Sequence, residues 1–382
     1  MSNMIEDGKI PSPCYVLEEE KLIKNLELIN YVQQEAGITI LLALKGFAMF
    51  STFPLIKKYL RGIAASSPFE ARLAREEFGK QLHIYAPAYK QSEFPDLITG
   101  ASHISFNSLR QWEQFKTQTL SAQISPGLRI NPEYSPVKYD IYNPASPFSR
   151  LGISAQSLGD KLPEGIEGLH CHNLCESNSE AALCTLEQIE KLFGHFLPQI
   201  KWLNLGGGHL ITSEGYDPEH LIKVITSFKN KYPHLDIYLE PSSAVAWKTG
   251  YLYATVLDLI ETPGPTIAML DVSFTAHMPD CLEMPYKPVI QGAREPQDQE
   301  PAYRMGGLTC LAGDFIGMGD YYFNTPLQIG DKIIFEDMIH YTMVKTSMFN
   351  GIKHPSIGIM RSDGSFQLVK SFDYSHFKQR LS

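Results

Sequence analysis

The stretch ITILLALKG at residues 38–46 decides the reading of the fold. Its apolar and β-branched residues run without a polar break and stop at a lysine and a glycine. A half-exposed strand alternates apolar and polar side chains. A short unbroken run belongs to a strand covered on both faces, as in a parallel sheet. Further runs of this kind follow at residues 63–65, 82–85, 103–106, 127–130, 168–171, 202–205 and 236–239. Amphipathic segments such as 69–78 and 182–192 lie between most of them. Strands alternating with helices imply right-handed crossovers and a parallel sheet. Eight units are the number needed for a closed (β/α)₈ barrel. An open doubly wound sheet has the same periodicity and stands as the alternative.

The flanks read differently. Residues 13–17 form an extended run ahead of a helical pattern at 18–36. After Gly250 the segments 251–260, 266–272 and 332–335 look like strands separated by turns, with little helix between them. That predicts a second, mainly antiparallel β domain. The expected division is a barrel over 18–250 and a C-terminal domain over 251–382, joined by an N-terminal strand at 10–17. The polar segment QGAREPQDQEP at 291–301 reads as a loop.

Composition narrows the classes of function. The net charge is −9, with acids and bases interspersed, whereas a nucleic-acid surface needs clustered Lys and Arg. The acidic balance suits a cationic ligand. No apolar run approaches the ~20 residues that span a bilayer, and the first ten residues lack the apolar stretch of a signal peptide. A cytoplasmic protein with reduced thiols is expected, since the six cysteines include no CxxC pair.

In a (β/α)₈ barrel the chemistry sits at the C-terminal ends of the strands. The first run ends at Lys45. An amine taken out of water loses its proton more readily and can condense with a carbonyl. A strand-end lysine that snorkels to solvent gives the same pattern. The sixth ends in His170-Cys171-His172-Asn173, with both histidines on one face: a zinc pair, a ring stacked on a planar cofactor, or two satisfied barrel histidines. The seventh ends in Leu205-Gly206-Gly207-Gly208-His209, a turn whose backbone amides can cradle an anion such as phosphate. The eighth ends in Glu240-Pro241-Ser242-Ser243. A carboxylate leaving a buried strand needs a partner, and a protonated pyridine nitrogen is one. The serines can donate to phosphate. Together these meet the needs of pyridoxal 5'-phosphate: an amine for its aldehyde, amides for its phosphate and an acid for its ring nitrogen.

The motifs ALKG at 43, HCHN at 170, LGGGH at 205 and LEPSSA at 239 resemble the fold-type III pyridoxal-phosphate enzymes. GGLTCLAGD at 306 and FEDMIHYTMVKTSMFNG at 335 resemble the ornithine and diaminopimelate decarboxylase group within them. DVSFTAHMPDCLEMPYKP at 271 and PEYSPVKYDIYNPASPFSRLG at 132 are similar to the carboxynorspermidine/carboxyspermidine decarboxylase family. The resemblance covers about residues 13–350.

It implies an alanine racemase-like fold, a barrel plus a β domain, and a homodimer with sites at the interface. Lys45 is then the Schiff-base lysine, His172 stacks on the cofactor ring, and Glu240 pairs with the ring nitrogen and also contacts substrate. Gly206, Gly207, Gly208, Ser243 and Tyr341 hold the phosphate. Cys310, the implied proton donor, and Asp314 come from the partner subunit. Asp271, Asp280, Glu283, Asp314 and His277 line the pocket for a cationic, polyamine-like tail. The implied reaction is decarboxylation of carboxynorspermidine or carboxyspermidine, with no metal, nucleic acid or membrane involved.

Two departures from the group stand out. Its usual EPGR is EPSS here, so Ser243 replaces an arginine at the phosphate. Its CESGD is CLAGD here, so Leu311 stands where diaminopimelate enzymes carry a glutamate that reads the distal end of the substrate. Other readings are a decarboxylase of diaminopimelate, ornithine or arginine, a racemase, and a non-catalytic binding homologue.

Overall fold

The computed structural model describes residues 10–137 and 142–382. Residues 138–141, inside the stretch PEYSPVKYDIYNPASPFSRLG, lie outside the described part. The chain divides into two compact units. One comprises Asn25–Val245; the other comprises Met1–Lys24 together with Ala246–Ser382.

After a first strand, β1 (Cys14–Glu18), and a helix (Glu19–Glu35), the larger unit is a closed parallel barrel. Its strands are β2 (Thr39–Ala43), β3 (Gly62–Ala65), β4 (Gln81–Tyr85), β5 (His103–Phe106), β6 (Ser125–Arg129), β7 (Gly168–His170), β8 (Trp202–Asn204) and β9 (Asp236–Leu239). They pair in chain order, and Ile40 opposite Leu239 closes the ring. Each apolar run of the sequence became a strand, which removes the open doubly wound alternative. Ile130, Cys171 and Leu205 lie one residue past their strands, yet their amides still bond to the neighbouring strand.

Local chemistry sets where the helices begin. Ser108, Asn178 and Asp217 each cap a helix start by accepting a backbone N–H from the first turn. The helical pattern at 69–78 folds as Pro68–Leu73 and then widens into a π turn over Ala74–Phe78. Small residues make room inside the barrel. A Cβ on Gly168 or Gly127 would sit 2.0 or 2.3 Å from the Trp202 ring. Trp202 fills that space and donates Nε1–H to Ser125 Oγ at 2.8 Å.

The second unit adds β10 (Gly250–Ile260), β11 (Thr266–Leu270), β12 (Ala293–Arg294), β13 (Tyr303–Gly306), β14 (Tyr322–Phe323), β15 (Lys332–Glu336), β16 (Ser356–Met360) and β17 (Phe366–Lys370). Its main sheet runs β13-β11-β10-β1-β16-β17, with β15 also on β10. Most pairs are antiparallel; β1–β16 and β11–β13 are parallel. The polar segment 291–301 is not wholly loop, because β12 within it pairs with β14. Among the described residues no helix is long and apolar enough to cross a membrane.

Candidate active site

The barrel brings four of the predicted motifs to the C-terminal ends of its strands. Lys45 is exposed in the turn that follows β2. Its charge acts on both His172 and Glu240, pulling their pKa values down, so the three groups share one electrostatic neighbourhood.

Glu240 follows β9, and its side chain is 12% exposed. Burial pushes its carboxyl up to about 7; the Asn204 hydrogen bond and the charges of Arg129 and Lys45 oppose that shift. Asn204 Nδ2 donates to Glu240 Oε1 at 2.6 Å. The Gly206 N–H donates to Asn204 Oδ1 at 2.8 Å, which fixes the amide so that its NH₂ faces the acid.

His172 follows β7. Its Nδ1 receives the Gly207 N–H at 3.0 Å. Burial, reinforced by Lys45 and Arg129, holds its pKa well below the ordinary histidine value. The ring is therefore neutral, and its Nδ1 also lies 3.1 Å from the Gly207 carbonyl oxygen. His170 turns Nε2 toward Glu240 Oε2, 4.0 Å away. The zinc reading finds no support in side-chain placement: no group of three potential metal ligands occurs among the described residues.

The glycine turn is shaped by close approach. A Cβ on Gly206 would lie 2.6 Å from His172 Cβ, one on Gly207 would lie 2.5 Å from the Glu240 carbonyl oxygen, and one on Gly208 would lie 2.2 Å from the Leu174 carbonyl oxygen. Gly206 and Gly208 also take φ of +67° and +91°, which side-chain-bearing residues adopt only with strain. Ser242 is buried, and Ser243 opens a short helical turn, Ser243–Ala246. Bare backbone beside a neutral ring, an amine and a buried acid suits a planar phosphate-bearing aldehyde, so this donor set fits pyridoxal phosphate.

The roles of Asn204 and Arg129 at this mouth escaped the sequence reading. Asn204 holds Glu240, as described. Arg129, which ends β6 and is 3% exposed, donates to the His172 carbonyl at 2.8 Å and lies 4.5 Å from the Tyr85 ring centroid. An arginine closing a buried run was the available signal.

The remaining predicted residues belong to the other unit. Asp280 Oδ2 accepts from the Tyr286 hydroxyl and the Thr342 hydroxyl, each at 2.8 Å, while its buried Oδ1 has no partner among the described residues. Asp271 accepts the Thr255 N–H at 2.8 Å, and burial raises its pKa. Glu283 pairs with Lys345. Asp314 is 4% exposed and takes four hydrogen bonds: from the N–H groups of Phe274, Thr275 and Thr309 and from the Thr309 hydroxyl. Both of its oxygens are thus engaged within its own unit. His277 is fully buried, and burial holds its ring at about 4, hence neutral. Cys310 is exposed, and its N–H is held by Asn350 Oδ1 at 2.8 Å. Tyr341 adopts φ +48°, a strained value for an aromatic residue.

Similarity to known proteins converges on the same chemistry. The family described as "Pyridoxal-dependent decarboxylase, C-terminal sheet domain" matches residues 14–339. The chain is 56% identical to a carboxyaminopropylagmatine decarboxylase of Synechocystis, over 99% of this chain and 98% of that protein. It is 42% identical to a carboxynorspermidine/carboxyspermidine decarboxylase of Campylobacter jejuni, over 97% and 99%. A crystal structure of carboxynorspermidine decarboxylase from Campylobacter jejuni, complexed with norspermidine, superposes with a TM-score of 0.90 at 41% identity, covering 97% of this chain and 100% of that one.

Proposed function

Because the chain belongs to the pyridoxal-dependent decarboxylase family, we propose that it uses pyridoxal phosphate on Lys45 to remove the α-carboxylate of a carboxylated polyamine, of the carboxynorspermidine and carboxyspermidine type. The observation that carries this reading is Glu240: a buried acid, held by Asn204, in one electrostatic neighbourhood with a strand-end lysine and beside a glycine turn.

Lys45 would hold the cofactor through Nζ. The amides of Gly206, Gly207 and Gly208 and the hydroxyls of Ser242 and Ser243 would take its phosphate, and the family resemblance adds Tyr341 to that role. His172, neutral and anchored by Gly207, is the aromatic neighbour of the ring. When bound, pyridoxal phosphate supplies an electron sink for the pair left as carbon dioxide departs. Glu240 holds a proton on the ring nitrogen, which keeps that sink strong. Cys310 Sγ, reaching in from a second copy of the chain, delivers a proton to the carbon that lost its carboxylate. In this reading the barrel over 18–250 carries the cofactor, and the β domain over 251–382, with the strand at 10–17, is the second domain.

Asp280 is the strongest choice for a cationic group of the substrate, since one of its carboxylate oxygens has no partner among the described residues. Asp271 and Glu283 are further acids for a tail with spaced cations. Asp314 and His277 support the loops around them. Leu311, where diaminopimelate enzymes place a glutamate, weighs against that substrate.

A second reading concerns the far end of the tail. The relative at 56% identity is named for carboxyaminopropylagmatine. That tail ends in a guanidinium, which two carboxylate oxygens can grip side by side.

The test is a substrate panel on the purified, cofactor-loaded protein: carboxynorspermidine, carboxyspermidine, carboxyaminopropylagmatine, diaminopimelate and ornithine, with carbon dioxide release as readout. One of the first three should have the highest kcat/KM. Borohydride should fix the cofactor to Lys45, and Lys45→Ala should abolish the adduct. The highest kcat/KM on diaminopimelate, or racemisation without carbon dioxide, overturns the proposal.

A further inference from the structure

Two buried histidines face Glu240 from other strands of the barrel. His83, on β4, is 4% exposed and places Nδ1 3.8 Å from Glu240 Oε1. His170, on β7, is 3% exposed and places Nε2 4.0 Å from Oε2. Among the described residues, the Nε2 atoms of both rings have no hydrogen-bond partner. Packing holds the rings in place: His83 lies against His103 and Tyr238 with centroids 4.1 and 4.6 Å away, and His170 meets the Tyr85 ring edge-on at 5.1 Å.

Burial keeps both imidazoles neutral, so each carries a single N–H. A nitrogen that faces a carboxylate oxygen is best protonated. That places the proton of His170 on Nε2 and the proton of His83 on Nδ1. Neutral dipoles steady an anion without cancelling its charge, which a cation in the same place would do.

We propose that His83 and His170 are positioning residues that turn one N–H toward each oxygen of Glu240, favouring its ionised form and fixing its plane for the protonated nitrogen of a bound pyridine ring. The role toward the ring rests on the function proposed above; the effect on Glu240 does not. The other groups that act on Glu240 are Lys45 after β2, Arg129 on β6 and the Asn204 amide on β8. All of these stay unchanged in the test.

The experiment begins on the protein before cofactor is added. Infrared difference spectra, with Glu240→Gln as the blank, follow the ionisation of Glu240 against pH. His83→Leu and His170→Leu should each raise the midpoint by about half to one pH unit, a roughly three- to tenfold change in ionisation constant. His83→Asn and His170→Gln return an N–H at the corresponding atom and should restore the wild-type midpoint. An unmoved midpoint in the leucine variants overturns the proposal. So does a shift in the amide variants as large as that of leucine, a comparison that stays decisive if one leucine variant fails to fold. Pyridoxal phosphate is then added. A shifted midpoint with no visible Lys45 adduct rejects the cofactor reading and leaves the histidine pair standing. An adduct with an unmoved midpoint rejects the pair alone.

Discussion

Asn204 reaches across from β8 to hold the acid that follows β9: its Nδ2 lies 2.6 Å from Glu240 Oε1, and its own Oδ1 is locked by the Gly206 N–H at 2.8 Å. The glycine turn and the buried acid are therefore one hydrogen-bonded unit. A hydrogen bond to a charged group contributes about 1.5–3 kcal/mol. Asn204→Leu should lower kcat by roughly ten- to a hundredfold and move the acidic limb of the kcat profile to higher pH. Steady-state rates across pH check this.

Glu240 also predicts how the cofactor-free protein responds to pH. Its folded-state pKa is raised to about 7 from an ordinary 4.5. Between those values the folded chain binds more protons than the unfolded one. Stability from this group therefore falls as pH rises through the window. Glu240→Gln should flatten that slope, as read from urea midpoints at several pH values.

Gly206→Ala should both destabilise the barrel and weaken cofactor binding. The new methyl would sit 2.7 Å from His172 Nδ1, on a backbone at φ +67°. Strain at such a position costs about 1–3 kcal/mol. Thermal melting should show the loss, and titration with pyridoxal phosphate should show a raised Kd.

Asp314→Ala should unsettle the sheet unit, because it strands the donors on Phe274, Thr275 and Thr309. Leaving a buried donor unsatisfied costs about 1–3 kcal/mol each, so the total should exceed the effect of Asp314→Asn, which keeps one acceptor oxygen. Denaturant unfolding of both variants measures the difference. If Asp314→Ala left stability unchanged and raised only KM, its direct role would be in substrate binding.

Pattern along the chain was enough for the architecture. Unbroken apolar runs such as ITILLALKG can be buried on both faces only in a parallel sheet with helices outside, and eight of them close a barrel. The same runs located Lys45, the Gly206 turn and Glu240, because a chemical residue at the end of a buried strand breaks the local pattern. Other decisions belonged to tertiary structure. That Asn204 grips Glu240, that Arg129 holds the His172 carbonyl, and that His83 faces the same acid all depend on which side chains the strand registers turn inward. Those registers join residues far apart in sequence. Asp314 makes the point from the other direction: as a lone acid in GGLTCLAGD it reads as a binding group, and only the folded loops around it show that both oxygens hold backbone in place. Periodicity records burial, which each residue carries with it; the partner of a buried polar group is set by the three-dimensional neighbours that folding brings to it.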